Sequence, residues 1–258
     1  MVIYVHGGAW AKGDKTVRTD SYIESFILKL IEKNYAVISI NYTLVSGTVH
    51  FPQPVQDTKD VVKWVRKNAE KYNFDPDNIG FFGASSGAHL SMLAAYTNDN
   101  EYPGSPELAP YSAKVNYVVS NFGPTDLNKL LHTRLGKVPV AIVGFFFKPI
   151  VEIREKLVMG ISGYDIKKEK RKAVDYLKTV SPVNNVENGI PTFILHGNKD
   201  KVAPLKQSKK LVRKLKKQNI ETSLIVVKDG NHGFRTTDKA YMNQLTDNMV
   251  NFIESHKK

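Results

Sequence analysis

A serine, an aspartate and a histidine stand at three points of this sequence where short apolar runs end. The serine is Ser85, in Asn78-Ile79-Gly80-Phe81-Phe82-Gly83-Ala84-Ser85-Ser86-Gly87-Ala88-His89-Leu90. Gly83, Ser85 and Gly87 spell G-x-S-x-G. Before them Ile79, Phe81 and Phe82 suit a buried strand, and after them residues 88–95 are rich in helix formers. A serine at the tip of such a turn sits in strained backbone, with its hydroxyl pushed clear of the sheet. Side chains two positions either side would clash, so glycine stands at both. The following helix points its N-terminus at the serine, and that positive dipole end favours a developing oxyanion. By spacing alone the motif is also a plain Gly-rich turn. The strand before it and the helix after it separate the two readings.

A serine hydroxyl is a poor nucleophile at neutral pH. It needs a base, and the base needs an acidic partner to fix its tautomer. Two later stretches supply them: His196-Gly197-Asn198-Lys199-Asp200 and Asp229-Gly230-Asn231-His232-Gly233-Phe234. Ser85, Asp200 and His232 each follow a strand-like run, in the order Ser, Asp, His expected where a serine stands on a strand-to-helix elbow of this kind. Ser86 lacks the flanking glycines that mark Ser85. Asp126, in Gly123-Pro124-Thr125-Asp126, is the rival acid, and the alternative for it is to cap the helix that follows. His89, one turn into its helix, reads as a packed or loop-bonding histidine, and His196 as a strand end without a catalytic role.

The elements that must position these groups follow from periodicity. Strands are expected at 2–5, 35–41, 79–82, 115–121, 191–196 and 222–227. Helices are expected at 21–33, 55–72, 85–97, 205–218 and 239–256. In the helix at 55–72 the expected buried stripe is Val61, Val62, Trp64 and Val65. Strands alternating with helices mean an α/β fold with a mostly parallel sheet and helices on both faces, whose chemistry gathers at the carboxyl ends of the strands. Residues 127–178 interrupt that rhythm. They lean helical and carry an apolar patch, Val143-Gly144-Phe145-Phe146-Phe147. The reading of this insertion is a small lid over the Ser85 pocket, and the second reading is a homodimer contact.

With 258 residues, 41% of them hydrophobic, the chain can bury a core as a single domain, 1–258. The absence of cysteine excludes disulfides, thiolate zinc sites and cysteine nucleophiles. The histidines show no zinc spacing, and the Gly-rich pieces lack both a Walker lysine and a dinucleotide fingerprint, so no metal and no cofactor are expected. No apolar run is long enough to span a membrane, and no signal segment opens the given sequence, so the expected compartment is cytoplasmic. The net charge is +12, and seven basic residues fall on the one helix expected at 205–218: Lys206, Lys209, Lys210, Arg213, Lys214, Lys216 and Lys217. These read as the solvated face of a helix whose Leu211, Val212 and Leu215 are buried. Without interleaved aromatics they do not indicate a nucleic-acid partner.

His6-Gly7-Gly8-Ala9-Trp10, Gly83–Gly87, His196–Asp200 with Val202 and Pro204 behind it, and Gly230–Phe234 span nearly the whole chain in order. Together they resemble the α/β-hydrolases of the hormone-sensitive-lipase-like esterase group. Within it they are most similar to carboxylesterases and acyl-carbohydrate (feruloyl or acetyl) esterases with a His-Gly-Gly-x-Trp loop. The resemblance implies a serine carboxylesterase acting on short-chain esters through an acyl-enzyme. Ser85 would be nucleophile, His232 base and Asp200 the orienting acid. The oxyanion would be held by the backbone N–H groups of Gly8, Ala9 and Ser86, with His6 structural. Ala9 stands where lipases of the group have a third glycine. The group has two more strands before the His-Gly-Gly strand, so either this chain is part of a longer one or its sheet is short, with the first strand as an open edge. An arylformamidase shares the His-Gly-Gly-x-Trp loop and is the nearest rival. A serine peptidase and a non-catalytic binding module of the same fold stand behind it.

Overall fold

The computed structural model describes residues 1–136 and 148–258. The patch at Val143–Phe147 therefore lies outside the described residues. Among them, six strands form one sheet: β1 (Val2–Val5), β2 (Val37–Ile40), β3 (Gly80–Ala84), β4 (Tyr117–Asn121), β5 (Thr192–Gly197) and β6 (Thr222–Val227). The order is β2-β1-β3-β4-β5-β6, and every neighbouring pair is parallel. Parallel strands covered on both faces must be apolar throughout, and β1, β3, β4 and β5 are buried along their length.

Side chains alternate between the two faces with period two. Ile3, Val5, Phe81, Val118 and Ile194 enter one core, and Val2, Tyr4, Phe82, Val119, Phe193 and Leu195 the other. The second core is closed by Phe26 and Leu30 of α1 (Tyr22–Glu32) and by Met249, Val250 and Ile253 of the C-terminal helix at Lys239–Ser255. The first is closed by α2 (Gln53–Lys67), α4 (Ser86–Ala95) and the helix at Lys206–Lys217, in which Leu211 and Leu215 are fully buried. A short helix α3 (Ala69–Tyr72) follows α2.

One expectation about the sheet is corrected. Strand β1 is not an edge, because β2 crosses back and pairs on its outer side, leaving β2 and β6 as the edges. A second correction concerns α2. Trp64 is 38% exposed, whereas Lys59 and Lys63 are buried. Lys59 donates to the carbonyls of Thr97, Asn98 and Glu101, just past the end of α4. A cation there meets the negative end of the helix dipole and three carbonyls that need donors. Burial still weighs against its charge and lowers the ammonium to about 8.

The interruption after β4 contains α5 (Leu127–Leu130), α6 (Lys148–Ser162) and α7 (Lys170–Thr179). The last two pack on the loop after β2. Phe51 N–H donates to the Ile161 carbonyl, and the Tyr176 hydroxyl donates to the Phe51 carbonyl at 2.8 Å. The two long helices after them are α8 (Lys206–Lys217) and α9 (Lys239–Ser255). Among the described residues no helix is long and apolar enough to cross a membrane.

Candidate active site

Strand β3 ends at Ala84 and helix α4 begins at Ser86, so the whole reversal falls on Ser85. Its φ of 55° and ψ of −121° lie in a region that side-chain-bearing residues rarely occupy. The glycines on either side have steric reasons. A Cβ on Gly83 would lie 2.6 Å from the backbone of Ala88, and one on Gly87 would collide with the carbonyl oxygens of Val5 and His6. The helix thus starts directly against β1 and β3. Ser86, as its first residue, has an amide with no acceptor inside the helix.

The Ser85 hydroxyl lies 2.9 Å from His232 Nε2. On the other side of the ring, His232 Nδ1 is 2.7 Å from Asp200 Oδ2. A carboxylate accepts, so Nδ1 carries the proton and Nε2 is free to accept from the serine. These three groups come from the ends of β3, β5 and β6 and are separated by up to 147 residues. Phe122, just past β4, meets the His232 ring edge-on at 4.7 Å between centroids, and Phe234 packs on Phe122.

Asp200 is buried, and its side chain is fully shielded from solvent. Burial works against its charge. Hydrogen bonds from His196 and His232 and from the Ala203 amide outweigh it and hold the carboxyl well below the usual carboxylate range. Oδ1 accepts from the amides of Val202 and Ala203 at 2.8 and 2.9 Å. Asp126 is engaged elsewhere. It caps α5 by accepting from the Lys129 amide at 3.1 Å and pairs with Lys210 at 2.5 Å.

The loop after β1 reaches the same place. A Cβ on Gly7 would lie 3.0 Å from the Ala84 carbonyl oxygen and 3.2 Å from Ser85 Cβ. Gly8 and Ala9 follow with φ of +134° and +53°. His6 is buried beneath them, its ring stacked on Tyr42 at 4.3 Å. The Tyr42 hydroxyl donates to the His6 carbonyl at 3.2 Å and lies 3.5 Å from Ser86 Oγ. Burial raises that phenol to about 12, so it remains a donor at neutral pH. The structure therefore brings Ser85, His232, Asp200, Gly8, Ala9 and Ser86 to one end of the sheet.

The sequence places Tyr42 at a strand end, but the roles of Tyr42, Phe122 and His196 were not read from it. Tyr42 and Phe122 carry no motif. His196 had one usable signal, its place four residues before Asp200.

The BD-FAE family model matches residues 1–215. Esterase LipC of Mycobacterium tuberculosis is 25% identical over 244 residues, covering 93% of this chain and 54% of LipC. Esterase LipQ of the same organism is 29% identical over 210 residues, covering 81% of this chain and 44% of LipQ. The chain spans about half the length of these relatives. Among solved structures, a truncated carbohydrate esterase from gut microbiota superposes with a TM-score of 0.74 at 28% identity, covering 98% of this chain and 85% of that one. An acetyl ester-xyloside bifunctional hydrolase from Caldicellulosiruptor lactoaceticus, at 21% identity and a TM-score of 0.72, covering 98% of this chain and 82% of that one, shares the fold.

Proposed function

This chain belongs to the BD-FAE family and has the α/β-hydrolase fold, and we propose on that premise that it is a serine carboxylesterase for short-chain esters. The observation that carries the reading is the hydrogen-bonded series Ser85–His232–Asp200 at the tip of a strained turn. Ser85 Oγ attacks the ester carbonyl carbon while His232 Nε2 takes its proton. The C=O π pair moves onto oxygen, and the oxyanion is held by the amides of Gly8, Ala9 and Ser86. Collapse breaks the C–O bond to the alcohol, which leaves with the proton from His232. Water then gives a proton to His232 and attacks the acyl-enzyme. The carboxylic acid departs and Ser85 recovers its proton. Asp200, held ionised, orients the imidazole and stabilises it when protonated.

The proposed natural substrates are acetyl or feruloyl esters of sugars. The carbohydrate esterase named among the similar structures supports that choice. The test is a panel of p-nitrophenyl esters with acetyl- and feruloyl-xylan, run beside N-formylkynurenine, with fluorophosphonate labelling mapped by peptide mass. The expected result is a label on Ser85 and faster turnover of acetyl than of longer esters. A label elsewhere overturns the mechanism, and a preference for N-formylkynurenine makes the protein an arylformamidase.

A further inference from the structure

The loop that reaches Ser85 has a costly backbone. Ala9 and Trp10 have φ of +53° and +62°, a region where a Cβ crowds the carbonyl that follows it. Such a conformation lasts only where the surroundings over-determine it. Two hydrogen bonds hold Trp10. Its carbonyl accepts from the Val45 amide at 3.0 Å, and its indole N–H donates to His89 Nδ1 at 3.2 Å. Trp10 itself is 2% exposed, so it leaves little room for another arrangement.

His89 is fully buried. On its far side, Nε2 lies 2.8 Å from the carbonyl oxygen of Val180. A carbonyl only accepts, so Nε2 carries the proton and Nδ1 is left as the acceptor that the indole requires. One neutral tautomer satisfies both partners. The imidazole meets the Trp10 ring edge-on at 5.2 Å and stacks on Phe51 at 5.8 Å, which fixes its plane. The His89 amide donates to the Ser85 carbonyl at 3.2 Å, so this ring sits one helical turn from the serine. Val180 is the residue that ends α7, and it too is buried.

We infer that His89 is the positioning residue of the oxyanion loop: it ties Trp10, and through Trp10 the amides of Gly8 and Ala9, to the end of α7. The inference rests on the proposed function. His89 touches no reacting atom and acts only through Trp10. It also gives the interruption after β4 a task of its own, because its last helix, α7, buttresses the loop through Val180. Packing alone would be served by any ring of this size. Positioning needs an acceptor facing Trp10 and a donor facing Val180.

The experiment compares kcat and KM for p-nitrophenyl acetate in the wild type, Trp10→Phe, His89→Phe, His89→Gln and the Trp10→Phe/His89→Phe double variant. Phe fills the space with neither hydrogen bond, whereas the Gln amide offers one acceptor and one donor. Loss of an oxyanion donor costs about 10²–10³ in kcat, so a displaced loop should cost about 10- to 100-fold with KM within about threefold. His89→Gln should keep at least about ten times the kcat of His89→Phe, and the double variant should be no worse than the poorer single one. Unchanged kcat in Trp10→Phe, additive losses in the double variant, or a Gln variant as poor as Phe each overturn the inference. Should His89→Phe fail to fold, 3-benzothienylalanine placed at position 10 decides instead, since it keeps the bicyclic ring and puts sulfur where the N–H stood, whereas Trp10→Phe also opens a gap in a buried site. A wild-type chain that turns over no ester overturns the proposed function itself. An active wild type with an unaffected Trp10→Phe overturns this inference only.

Discussion

His196 Nε2 lies 3.3 Å from Asp200 Oδ2, the same oxygen that His232 Nδ1 reaches at 2.7 Å. The His196 ring is itself fixed, with Nε2 2.6 Å from the Ala203 carbonyl and Nδ1 2.7 Å from Ser208 Oγ. Asp200 is thus held by two amides and His232, with the fixed His196 ring against the same oxygen, and its carboxylate is aimed at His232 before any substrate arrives.

Asp200→Asn should therefore damage turnover far more than Asp126→Asn. An amide in place of the acid can donate to the ring and hold the wrong tautomer, a loss of about 10⁴-fold in the Ser-His-Asp template. Asp126 spends its oxygens on the Lys129 amide and on Lys210. Asn at 126 can still cap α5 through its amide oxygen and loses only the charge that pairs with Lys210, so the change should cost less than about 1 kcal/mol of stability and leave kcat within about twofold. Steady-state kinetics of both variants on one ester decides this, and equal losses would refute the choice of acid.

Ser85→Ala should abolish turnover, with a loss on the order of 10⁴-fold or more, while thermal unfolding stays cooperative. The serine's strained φ is set by the turn and not by its hydroxyl, so the alanine inherits the same backbone. Residual activity above that level would move the nucleophile to another residue.

Gly87→Ala should be structurally intolerable. The added methyl meets the carbonyls of Val5 and His6, which are locked into or beside strand β1 and cannot withdraw. Overpacking of this kind costs about 3 kcal/mol or more, or about 6–12 °C in Tm for a chain of this size. Gly47→Ala is the control, since a Cβ there meets nothing within 4 Å. Similar Tm values for the two variants would contradict the account of the turn.

His89 should make the protein sensitive to mild acid. Burial pushes its imidazole down to about 4, against about 6.5 for a free histidine. Between those values the unfolded chain binds a proton that the folded chain refuses. The stability from a neutral ring is therefore complete above about pH 6.5 and is lost as pH falls toward 4. Between pH 7 and 4.5 the wild type should lose about 2 kcal/mol more than His89→Gln in urea denaturation. Parallel losses in the two proteins would show that His89 takes up its proton without hindrance.

The local pieces of this protein are legible in its sequence because they depend on near neighbours. Strands and helices follow from apolar periodicity, and their bounds differ from the structure by only a few residues, as at β6 (Thr222–Val227) and α9 (Lys239–Ser255). Gly83 and Gly87 reveal the turn because backbone packs on backbone there. That Ser85, Asp200 and His232 could meet was legible because each follows a strand, and a sheet whose strands all run the same way gathers the ends of its strands on one side. What periodicity could not determine was which side of β1 the next strand would join, or which face of α2 would turn inward. A lysine becomes the buried residue at 59 only because three carbonyls await it at the end of α4. The same holds for His89, whose two partners lie 79 and 91 residues away. Its tautomer depends on an indole and a carbonyl brought together by separate crossovers of the chain, and only the tertiary structure decides that they meet.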